Sequence, residues 1–279
     1  MSPPNAAFEG RKPLSAYGTR GSPHERADAT QAVATVGCVV GGTQKGGTTA
    51  LASYLYEHRE VCVPEAKEVH FFDSDWLFDS EPVDYPAYHA KFRPTAATRI
   101  LCDATPIYMY WEPAPARIRR YNPAMKWIIV LRDPIERAYS HWNMQRAKGR
   151  DPLAFAEAIR TESSRCATAH PRQHPWWSYA DRGYYVRQLD RILRHFPREQ
   201  LLIFRSEDLR DDPSNTLARV AAFLAIVPFG PVTRREVNAN PHTAPIDPET
   251  RAALARAFEP DVRELQRRFG VDCGNWLRA

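Results

Sequence analysis

Residues 36–49 read VGCVVGGTQKGGTT, and this stretch decides the fold. Residues 36–41, inside a mostly apolar run over 34–40, predict a short buried strand, and residues 48–58 (TTALASYLYEH) predict the helix that follows it. Between them Gly42, Gly46 and Gly47 let the backbone turn sharply and bring its N–H groups close to an anion. The helix N-terminus contributes the positive end of its dipole. Thr48 and Thr49 contribute hydroxyl donors, and Lys45 contributes a full charge. A plain tight turn would use the glycines but has no need of Lys45 and two threonines.

The pattern repeats outward from this unit. Short apolar runs recur at residues 99–102, 127–131 and 201–204, each of a length suited to a strand buried on both faces. Helical periodicity lies between them, over residues 185–196 and 215–224. Strands alternating with helices predict an α/β, P-loop-containing three-layer fold: a central, mostly parallel sheet flanked by helices. Four Asp-Pro pairs (Asp133-Pro134, Asp151-Pro152, Asp212-Pro213 and Asp247-Pro248) predict helix starts, since Asp suits an N-cap and Pro the first helical position. Asp133 with Glu136 has the form of a capping box. Residues 247–269 predict two helices broken at Pro260. Residues 1–31, with Pro3, Pro4, Pro13 and Pro23 and few large apolar groups, predict a mobile tail before a single domain over 32–279.

The bulk numbers agree. The chain has 279 residues, 43% hydrophobic and 25% charged, enough for a real core. Lys plus Arg is 38 against 33 Asp plus Glu; the excess of +5 suits an anionic ligand and is too small to imply nucleic acid. Five cysteines (Cys38, Cys62, Cys102, Cys166, Cys273), none at C-x-x-C spacing, argue against a disulfide framework or a zinc site. Nothing approaches the roughly 18 apolar residues of a membrane span or a signal peptide, so a cytoplasmic protein is expected.

The identity of the anion follows from the position of the lysine. ATP- and GTP-binding loops read G-x-x-x-x-G-K-[ST], with Lys directly before the hydroxyl residue. Here Lys45 stands three residues before Thr48, and no acidic strand end offers itself to magnesium. The loop is instead similar to the 5'-phosphosulfate loop of the sulfotransferases that use 3'-phosphoadenosine-5'-phosphosulfate (PAPS). That resemblance implies donor contacts from Thr43, Gln44, Lys45, Gly46, Gly47, Thr48 and Thr49, release of 3'-phosphoadenosine-5'-phosphate (PAP), and no metal. Residues 126–142 (KWIIVLRDPIERAYSHW) resemble the family's second donor segment, which implies that Arg132 and Ser140 hold the 3'-phosphate. An Arg fork suits that role. Residues 65–73 (EAKEVHFFD) resemble the catalytic stretch of the glucosaminyl 3-O-sulfotransferases of heparan sulfate, which implies Glu68 as base. Asp103-Ala104-Thr105-Pro106 resembles their Glu-Lys-Thr-Pro, and Gly183-Tyr184-Tyr185 and residues 205–208 are further family-like segments, with Tyr184 taken as a donor contact. The likeness spans residues 35–275. It departs at Ala104, which stands where those enzymes carry Lys, and in lacking their cysteine-bridged hairpin and membrane anchor.

These residues suggest a mechanism. Lys45 and the loop N–H groups stabilise charge on the leaving 5'-phosphate. Glu68 removes the acceptor proton, in apolar surroundings from Phe71 and Phe72, and His70 orients the acceptor or shares the proton. On the acceptor side, residues 170–179 (HPRQHPWWSY) present Trp176 and Trp177 to a small-molecule or glycan acceptor, and Arg117, Arg119 and Arg120, or Arg146, Lys148 and Arg150, offer positive charge. Residues 234–242 (RREVNANPH) occupy the place of a last donor element, through Arg234, Arg235 or Asn238. Two rival readings remain: a P-loop kinase using ATP–Mg, and a nucleotide-binding protein without catalysis.

Overall fold

Five apolar segments pair into one sheet: Val36–Gly42 (β1), Val61–Cys62 (β2), Ile100–Asp103 (β3), Lys126–Leu131 (β4) and Leu201–Arg205 (β5). Their order is β2-β3-β1-β4-β5 and every neighbouring pair runs parallel. The computed structural model describes residues 13–16, 35–79, 81–169, 173–235 and 244–277. Helices fill the connections: α1 (Thr48–Glu57), α2 (Tyr85–His89), α3 (Ile107–Tyr110), α4 (Ala114–Tyr121), α5 (Pro134–Ala147), α6 (Phe155–Arg160), α7 (Glu162–Ala169), α8 (Tyr185–Leu193), α9 (Ser206–Asp211), α10 (Pro213–Leu224) and α11 (Pro248–Phe269).

Side-chain alternation makes the sheet two-faced and both faces apolar. Val39 of β1 and Trp127, Ile129 and Leu131 of β4 join a core layer with Tyr108, Ile118, Ile135, Leu189 and Phe258. Cys38, Val40, Ile128 and Val130 point the other way, onto Leu51, Leu55, Leu217 and Val220 of α1 and α10. The three-layer expectation is met, and the sheet is wholly parallel. All five cysteines are free and buried. No described helix is long and apolar enough to cross a membrane.

Three of the four Asp-Pro pairs start helices. Asp133, Asp212 and Asp247 cap α5, α10 and α11 with side-chain acceptors. Asp151 does not: it is buried, and its carboxylate takes the Tyr179 hydroxyl at 2.7 Å and Arg165 at 3.0 Å, while α6 begins later, at Phe155. Half of the box at Asp133 forms, for Glu136 turns to pair with Arg251 on α11. The break foreseen at Pro260 does not occur. α11 runs through it, because the buried stripe Leu254, Phe258, Val262 and Leu265 continues across the proline and holds both halves on the core. The tail is also not free throughout: Leu14 is fully buried beside α1, its N–H donates to the Glu65 carbonyl at 3.0 Å, and Ser15 donates to the Glu65 carboxylate at 2.8 Å. The remainder of residues 1–31 lies outside the described residues.

Candidate active site

The loop after β1 is shaped by positions where a side chain would not fit. Gly42 has φ +109°, and a Cβ there would stand 2.3 Å from the Val130 carbonyl oxygen. Thr43 N–H donates to that same carbonyl at 3.1 Å and ties the loop to β4. Gly46 N–H donates to the Thr43 carbonyl at 2.8 Å, closing a turn in which a Cβ on Gly46 would meet Thr43 Oγ1 at 2.1 Å. Gly47, at φ +86°, begins α1, and among the described residues no side chain caps that helix. Its first N–H groups, with Thr48 buried and Thr49 half-buried beside them, form a ready anion site.

Two long-range contacts brace the loop. Arg132 Nη1 donates to the Lys45 carbonyl at 3.0 Å, so the two anion segments read from the sequence do meet. Arg182, 2% exposed, donates to Gln44 Oε1 at 2.8 Å and to the Pro175 carbonyl at 2.9 Å, with its guanidinium over the Tyr110 ring at 4.5 Å. Tyr185, also buried, donates to the Arg132 carbonyl at 2.7 Å. Its neighbour Tyr184 packs edge-on against Phe258 of α11 at 5.0 Å, away from these bonds. Ser140 is half-buried on the second turn of α5, the helix that Arg132 and Asp133 lead into.

The segment after β2 carries the acid–base residues. Lys67 and His70 have φ +65° and +55°, and Lys45 has +70°; Ala225 is the fourth described non-glycine residue of positive φ. Left-handed backbone costs a side-chain-bearing residue about 1–2 kcal/mol, and its concentration here is the pattern of strain held at a functional site. Glu68 Oε1 accepts from Lys67 Nζ at 2.7 Å. Glu68 Oε2 stands 3.3 Å from His70 Nε2, and His70 Nδ1 stands 2.8 Å from Asp73 Oδ2. Asp73 thereby fixes the imidazole so that Nε2 faces Glu68. The Phe71 and Phe72 rings turn inward, to Tyr88 at 4.5 and 5.2 Å. They anchor the segment, while Lys67 and His70 lie against the carboxylate.

A narrow crevice of about 20 Å³, room for about one water, lies between the two halves. Its walls include Gln44 from the anion loop, Glu68 and His70, and Lys148, Arg150 and Trp176. The Arg150 guanidinium lies 4.7 Å over the Trp176 ring. Trp177 instead stacks on His174 at 4.4 Å and donates to the Arg150 carbonyl, so one of the two tryptophans faces the cleft and the other holds the loop. The first arginine cluster is structural: Arg117 bonds the Phe72 carbonyl and Asp75, Arg119 the Pro123 carbonyl, and Arg120 pairs with Glu81. Arg235 pairs with Glu57 and covers Tyr54 at 4.3 Å, at the end of α1 away from the loop; Asn238 lies outside the described residues. Ala104 is fully buried in the layer beneath α1. Asp103, which ends β3, is enclosed by the Thr105, Tyr88 and Tyr108 hydroxyls. No described group of three or more His, Cys, Asp or Glu is placed to hold a metal ion. No role was assigned from the sequence to Asp73, Asp103, Tyr185 or Arg182, although the first three lie inside the family-like segments 65–73, 103–106 and 183–185 and Arg182 borders the last of them.

The model of the sulfotransferase domain family matches residues 38–238. Human heparan sulfate glucosamine 3-O-sulfotransferase 3B1 is 35% identical over 189 residues, which is 67% of this chain and 45% of that protein. Human bifunctional heparan sulfate N-deacetylase/N-sulfotransferase 2 is 34% identical over 209 residues, 69% of this chain and 22% of that protein. The chain thus spans less than half the length of these curated relatives. The crystal structure of a sulfotransferase from Alicyclobacillus acidocaldarius superposes with a TM-score of 0.73 at 27% identity, covering 88% of this chain and 100% of that one.

Proposed function

The chain belongs to the sulfotransferase domain family, and from that premise we propose that it transfers a sulfuryl group from PAPS to a hydroxyl of a carbohydrate acceptor, releasing PAP. The observation that carries this reading is the shared cleft: Gln44 of the anion loop, Glu68 with His70, and Lys148, Arg150 and Trp176 border one narrow space, with Asp73 behind His70. The fit to the donor is supported by a glycine cradle that a Cβ would fill and by a helix start with no side-chain cap. PAPS supplies an activated sulfuryl group whose leaving phosphate gains charge. Residues 43–49, with Lys45 foremost, hold that phosphate, and Arg132 and Ser140 take the 3'-phosphate. Glu68 accepts the acceptor proton, and His70, held by Asp73, orients it. Trp176 offers an apolar face to a sugar ring. The kinase reading is not favoured, because Lys45 is not adjacent to Thr48 as a nucleotide-triphosphate loop requires.

Thermal shift with PAP and with ATP–Mg tests the donor side, since a ligand that binds only the folded state raises its stability. PAP alone is expected to stabilise. Radiolabelled PAPS with a panel of glycans, glycolipids, phenols and amines then tests the acceptor side, with label expected on a glycan hydroxyl. Stabilisation by ATP–Mg and not by PAP would overturn the donor, and label on amines alone would overturn the hydroxyl acceptor.

A further inference from the structure

The segment carrying Glu68 and His70 has no regular secondary structure to hold it, yet its backbone donors are tied down. Val69 N–H donates to Thr105 Oγ1 at 2.9 Å, with His70 N–H at 3.5 Å from the same oxygen, and Phe71 N–H donates to the Tyr108 hydroxyl at 2.9 Å. Both hydroxyls in turn donate to one carboxylate: Thr105 to Asp103 Oδ1 at 2.5 Å and Tyr108 to Asp103 Oδ2 at 2.8 Å. Tyr88 donates to Oδ2 as well, at 3.0 Å, but holds no N–H of the segment. Asp103 and Tyr108 are fully buried, so no solvent competes.

A hydroxyl owns one proton and accepts with its lone pairs. An ionised carboxylate only accepts, so it draws the Thr105 and Tyr108 protons toward itself and leaves their lone pairs for the backbone. We propose that Asp103 is a positioning residue: by fixing the polarity of the Thr105 and Tyr108 hydroxyls, it holds residues 69–71, and through them Glu68 and His70, in working geometry. This rests on the reading of Glu68 and His70 as the acid–base pair. Burial pushes the Asp103 carboxyl up to about 6 while the three hydroxyls pull it down, which leaves it ionised at neutral pH. An amide in its place presents a donor on one side. The hydroxyl that faces it, Thr105 on one side or Tyr108 on the other, then loses the acceptor for its proton and can turn that proton toward the backbone N–H, which weakens its arm.

The test is amide hydrogen exchange in the intact chain, read at residues 69–71 and in β1 and β4, for Asp103→Asn, Thr105→Val, Tyr108→Phe and Tyr88→Phe. Exchange at residues 69–71 is expected to rise about three- to tenfold in the first three, the loss of one net hydrogen bond, with the sheet unchanged and the His70 imidazole NMR signal displaced. Tyr88→Phe, which removes a donor to Asp103 and no backbone acceptor, is expected to leave residues 69–71 and His70 at wild-type values. Equal exchange in all variants, a rise shared by the sheet, or a Tyr88→Phe effect as large as that of Tyr108→Phe would each overturn the proposal. PAP binding, measured beside it, reports separately on the donor reading: its absence in the wild type would sink that reading while the exchange comparison still decides the role of Asp103.

Discussion

Replacing Gly46 by alanine puts a methyl group where the donor loop has no room for one. The added Cβ would lie 2.1 Å from Thr43 Oγ1, 2.8 Å from the Thr43 carbonyl oxygen and 3.2 Å from the Val130 carbonyl oxygen. Rotating the Thr43 hydroxyl relieves the first contact. It does nothing for the second, because that carbonyl accepts the Gly46 N–H at 2.8 Å and is held there. The turn must open. Overpacking costs about 1–3 kcal/mol and the broken hydrogen bond about 0.5–1.5 kcal/mol. A total of about 1.5–4.5 kcal/mol, at about 1.4 kcal/mol per decade, weakens PAP binding roughly ten- to thousandfold. The free protein escapes most of this by letting the loop relax, so its melting temperature should move little while calorimetric PAP affinity collapses. Gly47→Ala makes a graded companion. Its nearest new contact is Ser206 Cβ at 3.2 Å, but its φ of +86° remains, and a left-handed alanine costs about 1–2 kcal/mol, so a loss of about five- to thirtyfold is expected. PAP binding to Gly46→Ala within about threefold of wild type, under half a decade, would refute the assignment of this loop to the donor phosphate.

Glu68→Gln should lower turnover about 10²–10⁴-fold, the usual yield of a positioned base, with PAP affinity preserved; near-normal turnover on the true acceptor removes Glu68 from the role. Trp176→Ala should raise the acceptor KM and leave PAP binding alone, and an unchanged KM would assign the ring to packing. The third concerns Glu162, whose carboxyl burial pushes up to about 7 although the Ala180 and Asp181 N–H groups pull it down. Its folded pKa lies above the ordinary carboxylate value, so its stabilising contribution is whole below about pH 4.5 and is lost as pH rises through about 7. Wild type should therefore lose about 3 kcal/mol relative to Glu162→Gln between those limits, followed as melting temperature against pH. A constant difference between the two proteins across that window would contradict the assignment.

Much of the site was legible because its chemistry is local. The anion loop, Glu68 with His70, and Arg132 before its capped helix are each spelled out within a few residues, and the structure brings the three segments together. The supports are not local. Asp103 meets the segment it steadies only through hydroxyls at residues 105 and 108, and Arg182 reaches Gln44 across 138 residues. A sequence shows no such pairing. Tyr184 and Tyr185 look alike as letters, and only the approach of α8 to Arg132 separates the one that bonds from the one that packs. Pro260 misled for a related reason: a lone proline argues for a break, and the apolar stripe on both sides of it outweighs the one lost backbone bond.

The order of the strands also governs when the donor loop can exist. β1 is the central strand, and both of its neighbours, β3 and β4, come later in the chain. Its loop is closed by a partner 87 residues on, where Arg132 grips Lys45, and by another 138 residues on, where Arg182 grips Gln44. Pairings so distant in sequence are slow to form, because the intervening chain must be ordered before they reward it. During synthesis the residues of the loop leave the ribosome before their braces do and wait for them until residue 182 has followed them out. A loop encoded ahead of every partner that braces it is thus finished late in folding.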